Sequence, residues 1–73
     1  MSAINDLVET FINGNLTDAK TKAKRHNHRA LRQAYQDHTG CSSETAVAAA
    51  DYLKGMATFE EFCETKHHAR DRH

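Results

Sequence analysis

Three glycines divide the chain into segments of helical length. Gly14, Gly40 and Gly55 each follow a stretch whose apolar residues recur with helical spacing, and the chain contains no proline. Glycine is favoured just beyond a helix C-terminus because the residue there takes a positive φ. No stretch alternates apolar and polar residues as a half-buried strand does. The sequence therefore predicts an all-α fold, a small bundle of four or five short helices.

The first segment has the clearest helical pattern. Its apolar residues are spaced three or four apart along one face: Ile4, Leu7, Val8, Phe11 and Ile12. A stripe of this kind is typical of a helix that packs one side against a core. The pattern predicts a helix over residues 3–13, with Ser2 as its N-cap and Gly14 just beyond its end.

The residues after Gly40 predict two further helices. An alanine-rich stretch at 44–54 has an apolar face and stops at Gly55. Thr58 is followed three residues later by Glu61, which is the spacing of a capping box at a helix start. The buried side of this last helix is predicted to contain Phe59, Phe62 and Cys63. Residues 66–73 are polar, so we expect a single domain over 1–65 and a frayed tail.

The segment between residues 18 and 38 leaves two alternatives open. One is a single long helix whose middle lies over solvent. The other is two helices that break near His26 and Asn27, with Asn27 as the second N-cap. All residues between Ala23 and Ala30 are polar. A helix that faces a core rarely has so long a stretch without an apolar contact, which favours the break.

Length and motif content narrow the possible functions. A chain of 73 residues forms one domain with a small core, which leaves little room for a large cofactor pocket. It has no glycine-rich phosphate-binding motif and no apolar run long enough to span a bilayer. The first residues lack the pattern of a secretory signal, so we expect a cytoplasmic protein. We expect neither a cofactor nor an enzyme activity.

Basic residues are concentrated in one part of a chain whose net charge is zero. Residues 17–36 contain six basic side chains and a single acid, whereas the residues from 37 to 65 are strongly acidic. Five of the basic residues are predicted to bind a partner and are called the basic surface below: Lys22, Lys24, Arg25, Arg29 and Arg32. If the helix were continuous, four of them, Lys24 excepted, would share one face.

Three uses of the basic surface remain open. It could be a solvated face or pair with the chain's own acidic helices. It could bind an acidic surface of another protein, which is the function we predict. It could also bind nucleic acid, although the zero net charge and the single nearby aromatic, Tyr35, favour a protein partner. Self-association through the alanine-rich helix at 44–54 is a further possibility.

Cysteine and histidine residues offer a weaker chemical hypothesis. His38 and Cys41 are three residues apart, and Cys63 and His67 lie one helical turn apart. Two such pairs could form a Cys2His2 zinc site. With six histidines in the chain, however, such pairs arise by chance, and we predict no metal. A Cys–His pair could also supply a thiolate nucleophile, but no third orienting residue accompanies either pair. Both cysteines are expected to be reduced, small buried side chains.

The chain resembles two known groups of proteins. The stretch ALRQAYQDHTGCSSETAVAAADYLKG, residues 30–55, is similar to the last two helices of ubiquitin-associated-type domains, without the Met-Gly-Phe/Tyr loop that precedes them in that family. This similarity implies helix packing alone. In size, helical content and lack of a catalytic motif, the whole chain resembles the short accessory proteins of tailed bacteriophages. That resemblance implies a role in blocking or redirecting a host protein and transfers no functional residue.

Overall fold

A computed structural model describes residues 3–69, which form five α-helices and no strand. In chain order the helices are α1 (Ala3–Ile12), α2 (Leu16–Ala23), α3 (His28–Thr39), α4 (Ser43–Leu53) and α5 (Phe59–Ala69). The predicted all-α bundle is confirmed. The helix expected over residues 3–13 is α1, and its predicted N-cap, Ser2, lies outside the described residues.

The alanine-rich helix α4 is the central element of the bundle. It packs against α2, α3 and α5 and buries seven side chains: Thr45, Ala46, Ala48, Ala49, Ala50, Tyr52 and Leu53. The distance between packed helices depends on the side chains at the contact, and alanine allows a close approach. The alanine face is therefore used within the chain's own core, and self-association through residues 44–54 stays a prediction.

All five aromatic residues of the chain belong to one cluster. The Phe11 ring of α1 lies 5.7 Å from Tyr35 of α3, 5.7 Å from Tyr52 of α4 and 5.4 Å from Phe62 of α5, measured between centroids. Such separations are typical of favourable aromatic pairs. Phe59 joins the cluster at its edge, 5.4 Å from Tyr52. The cluster ties four of the five helices together.

The helical conformation is interrupted between α2 and α3, so the two-helix alternative is confirmed. Residues 24–27 connect the helices, and Asn27 is the N-cap of α3. The Asn27 side chain accepts a hydrogen bond of 2.8 Å from the Ala30 N–H, which satisfies one of the free amides at the helix start. Asn15 occupies the equivalent position before α2 but makes no such side-chain bond.

The boundary between α3 and α4 depends on a glycine. Gly40 has a φ of 70°, and its N–H donates to the Gln36 carbonyl at 2.8 Å. The left-handed backbone conformation is energetically unfavourable for residues that have a Cβ atom, and glycine avoids this cost. Two residues later, Ser42 caps α4 by accepting a hydrogen bond from the Thr45 N–H. The predicted helix end at Gly40 is confirmed.

Helix α5 begins as predicted but differs in what it buries. The capping box is present: the Thr58 N–H donates to Glu61 Oε1 at 2.8 Å, and the Glu61 N–H donates to Thr58 Oγ1 at 3.1 Å. Of the three residues predicted on its buried side, only Phe62 is buried, whereas Phe59 and Cys63 are exposed. The reason is that α5 lies at the edge of the bundle and packs mainly against α4.

Two predictions about helix ends are wrong. Ile12 was expected in the buried stripe of α1 but is 48% exposed, because it is the last residue of the helix, just before the turn at Gly14. Helix α5 continues to Ala69, so residues 66–69 are helical and not part of a frayed tail that starts at Lys66. The rest of the predicted tail lies outside the described residues.

Candidate functional site: a basic surface at the α2–α3 connection

The basic surface is distributed over two helices and their connection. Lys22 lies in the last turn of α2, Lys24 and Arg25 lie in the connection, and Arg29 and Arg32 belong to α3. A stripe along one continuous helix face is therefore not formed, because the helix breaks before Asn27. The structure brings Lys22 and Arg25 together at one cleft, beside α1, and places Lys24 at another, beside Leu53 and Lys54.

The arginines of this surface form no ion pairs within the described part of the molecule. Arg25 and Arg29 are exposed and Arg32 is half-buried, and none of them forms an ion pair with a carboxylate of residues 3–69. A guanidinium has five N–H donors in a rigid planar arrangement and no acceptor. These groups therefore keep their capacity to bind carboxylate or phosphate oxygens.

The two lysines of the basic surface differ in their contacts. Lys22 Nζ lies 3.6 Å from Asp18 Oδ2, one turn earlier in the same helix, and donates to Thr10 Oγ1 at 3.3 Å. Both groups of this ion pair are well exposed, so the pair contributes little to stability. Lys24 is exposed and forms no ion pair with residues 3–69.

Asp51 of α4 and Lys54, the C-cap residue of that helix, both contact the chain at the connection. Lys54 Nζ donates to the His26 carbonyl at 2.8 Å, and the Asp51 carboxylate accepts a hydrogen bond from His28 Nε2 at 2.6 Å. These contacts lie on either side of the N-cap residue Asn27. The basic surface is therefore supported by the central helix of the bundle.

Carboxylates lie within or beside the basic surface at three points, so the separation of charges expected from the sequence is incomplete. Asp18 contacts Lys22, and Asp51 contacts His28. Asp6 lines a cleft between α1 and the end of α2 together with Lys22, Arg25 and His26. A partner of this surface would therefore meet a mixed pattern in which positive groups predominate.

The residues considered for metal binding do not come together. His38 is exposed near the end of α3, Cys41 is buried, and Cys63 and His67 are exposed on α5. Within residues 3–69, no three His, Cys, Asp or Glu side chains are grouped so that they could hold a metal ion. The Cys2His2 candidate is thus not assembled. Both cysteines are free thiols, and the predicted burial is confirmed for Cys41 and wrong for Cys63.

A second surface feature was missed at the level of sequence. An apolar groove lies between the turn that joins α1 to α2 and helix α5, and Ile12, Leu16 and Phe59 line it beside Lys66. The sequence pattern placed Ile12 and Phe59 on buried faces. Ile12 is the last residue of α1 and Phe59 is the first residue of α5. These terminal positions could have indicated exposure, because a residue at a helix end can extend beyond the neighbouring helix.

None of the helices formed by residues 3–69 has the length and apolar character needed to cross a membrane. No protein-family model, no curated protein and no solved structure matches this chain.

Proposed function

We propose that this chain is a small non-enzymatic binding protein that docks on an acidic surface of another protein. The docking region is the basic surface at the α2–α3 connection. The observation that carries the proposal is that Arg25, Arg29 and Arg32 form no ion pair within residues 3–69, although the chain has as many acidic as basic residues. Arginine suits this role because its planar guanidinium binds carboxylates through two parallel hydrogen bonds.

The support beneath the surface favours binding. Asp51 of α4 and its C-cap residue Lys54 bind the chain on both sides of Asn27. A binding segment that is already ordered loses less conformational entropy when it meets its partner. Arg25 and Arg29 are thus presented from a backbone that need not fold on contact.

Nucleic acid is the alternative partner, and two observations rank it second. Tyr35, the aromatic residue nearest the basic surface in sequence, is 4% exposed and packs on Phe11, so it offers no face for base stacking. Asp6 and Asp18 lie among the basic groups. A nucleic-acid backbone is uniformly negative, whereas a protein surface can place lysine or arginine side chains opposite these two carboxylates.

The resemblance to short accessory proteins of tailed bacteriophages supports a particular kind of partner. Under this proposal the chain binds a host protein, such as a nuclease, a polymerase or a defence complex, and blocks or redirects it. Occupation of an acidic surface on such a protein requires no catalytic residue.

The test is a pull-down from an extract of the native cells, followed by mass spectrometry and by titration of the purified partner. We expect the Arg25→Ala/Arg29→Ala variant to bind the partner about tenfold more weakly or worse, since charged contacts at interfaces are often worth this much. Glu44→Gln changes the charge of an exposed side chain in the first turn of α4 and serves as the control, with affinity unchanged. Both variants should keep the circular dichroism spectrum of the wild type.

A gel-shift experiment separates the two candidate partners. We expect no shift of duplex or single-stranded DNA near physiological salt. A tight complex whose affinity falls steeply with salt, and falls again in the arginine variant, would replace the protein partner with nucleic acid. Equal binding of the protein partner by the wild type and the arginine variant would remove the basic surface from the proposal.

A further inference from the structure

Helix α5 is held to the rest of the molecule by few buried groups. Among Phe59–His68 only Phe62 is buried, and Thr65 is half-buried. A helix of eleven residues gains most of its stability from packing, because helices of this length are marginal alone. The outer surface of α5 is thus open to a further contact.

The open surface is partly apolar. Ile12 is 48% exposed and Phe59 is 39% exposed, and both line the groove between the α1–α2 turn and α5. Leu16 is half-buried in the same groove, and Lys66 lies at its rim. Exposed apolar side chains that are rimmed by polar groups are typical of protein interaction sites.

The charges of α5 point to a second copy of the chain as the occupant. Its first turn is acidic, with Glu60 and Glu61, and its last turn is basic, with Lys66, His67 and His68. Two such helices packed antiparallel place the acidic turn of each beside the basic turn of the other. The same pattern also suits the helix dipole, but the dipole gives no reason for the exposed Ile12 and Phe59 next to it.

We infer that α5 and the adjoining groove form the interface of a homodimer with two-fold symmetry. In such an isologous contact each patch meets the same patch on the other copy. Phe59 of each copy packs into the groove of the other, and Glu60 beside it pairs with Lys66 of the second copy. Cys63 lies between these two positions along the helix, so the two Cys63 thiols come close to the symmetry axis. This interface is separate from the basic surface.

Sedimentation of the full chain over a range of concentrations tests the inference. We expect a mass twice the 8.2 kDa of the single chain. Lys66→Glu should weaken the dimer about tenfold or more, because it places like charges opposite each other. The double variant Glu60→Lys/Lys66→Glu should restore the dimer, since it exchanges the two signs. Circular dichroism shows whether each variant is folded.

Chemical crosslinking identifies the interface. A short bis-maleimide should join two chains through Cys63, and Cys63→Ser should abolish the product while Cys41 remains buried. Ile12→Asp, at an exposed position, should abolish both the dimer and the crosslink without loss of folding. A chain that stays monomeric at the highest soluble concentration would overturn the inference. So would a dimer that neither crosslinks through Cys63 nor responds to Lys66→Glu.

Discussion

Asp51 of α4 accepts a hydrogen bond of 2.6 Å from His28, the first residue of α3. Three residues later in the chain, Lys54 donates to the carbonyl of His26. The last turn of the central helix and its C-cap residue thus contact the chain on both sides of Asn27. The position of Arg25 in the connection is therefore linked to the packing of α4. A substitution in α4 that removes one of these contacts should alter the conformation of the basic surface.

Asp51→Ala tests this link. The variant removes a side-chain hydrogen bond between groups that are each about one-third exposed, so we expect the free energy of unfolding to fall by about 1 kcal/mol. Urea denaturation at a fixed protein concentration measures the change. Glu64→Ala, which removes an exposed carboxylate of α5, is the control and should alter stability less. Equal effects of the two changes would show that the His28 contact does not support the fold.

Gly40→Ala tests the helix end between α3 and α4. A Cβ at this position meets no atom within 4 Å, so the cost arises from the positive φ alone. We expect a loss of about 1 to 2 kcal/mol in the free energy of unfolding. Gly40→Asn should lose less, because asparagine adopts left-handed backbone more readily. A melting temperature unchanged in Gly40→Ala would mean that the turn relaxes to another conformation.

A double-mutant cycle on Thr58 and Glu61 tests the start of α5. Each residue satisfies a backbone N–H of the other, so either substitution by alanine should lower stability by about 1 kcal/mol. The double variant should lose less than the sum, because the two bonds form one motif. Thermal unfolding followed by circular dichroism gives the three values. Strict additivity would indicate that the two hydrogen bonds act independently.

Phe62→Ala tests how α5 is anchored. Phe62 is 5% exposed and lies 5.4 Å from Phe11 and 6.2 Å from Tyr35, measured between ring centroids. We expect a loss of about 3 to 5 kcal/mol, the usual cost of a large aromatic side chain removed from a core. Phe59→Ala, at an exposed edge of the same cluster, should cost clearly less. If both cost the same in urea denaturation, the anchoring of α5 is shared between them.

The helices could be predicted from the sequence because local chemistry sets their limits. Positive φ at Gly40, the Asn27 side-chain cap and the Thr58–Glu61 box each depend on residues within one turn. Such short-range devices are visible in a sequence pattern. They explain why five elements and the break in the middle segment agree with expectation.

Burial on α1 and α5 could not be predicted in the same way. Periodicity shows that Ile12, Phe59 and Cys63 share a face with buried residues, but not how far the neighbouring helix extends over that face. The metal candidate failed for the same reason, since the spacing of Cys63 and His67 says nothing about where Cys41 lies. Contacts such as Asp51 with His28, which are distant in sequence, give no periodic signal at all.

The order of the helices has a consequence for how quickly the chain reaches its native state. The most extensive packing joins consecutive helices, α1 with α2, α3 with α4 and α4 with α5. Little chain must be closed into loops before each contact forms, and helical proteins of this kind refold within about microseconds to milliseconds. Since the chain has no proline, the slow isomerisation of prolyl bonds is absent as well. Stopped-flow or temperature-jump refolding, at a protein concentration too low for dimer formation, should therefore show a single fast phase, so that the binding surfaces form before any slower step of association.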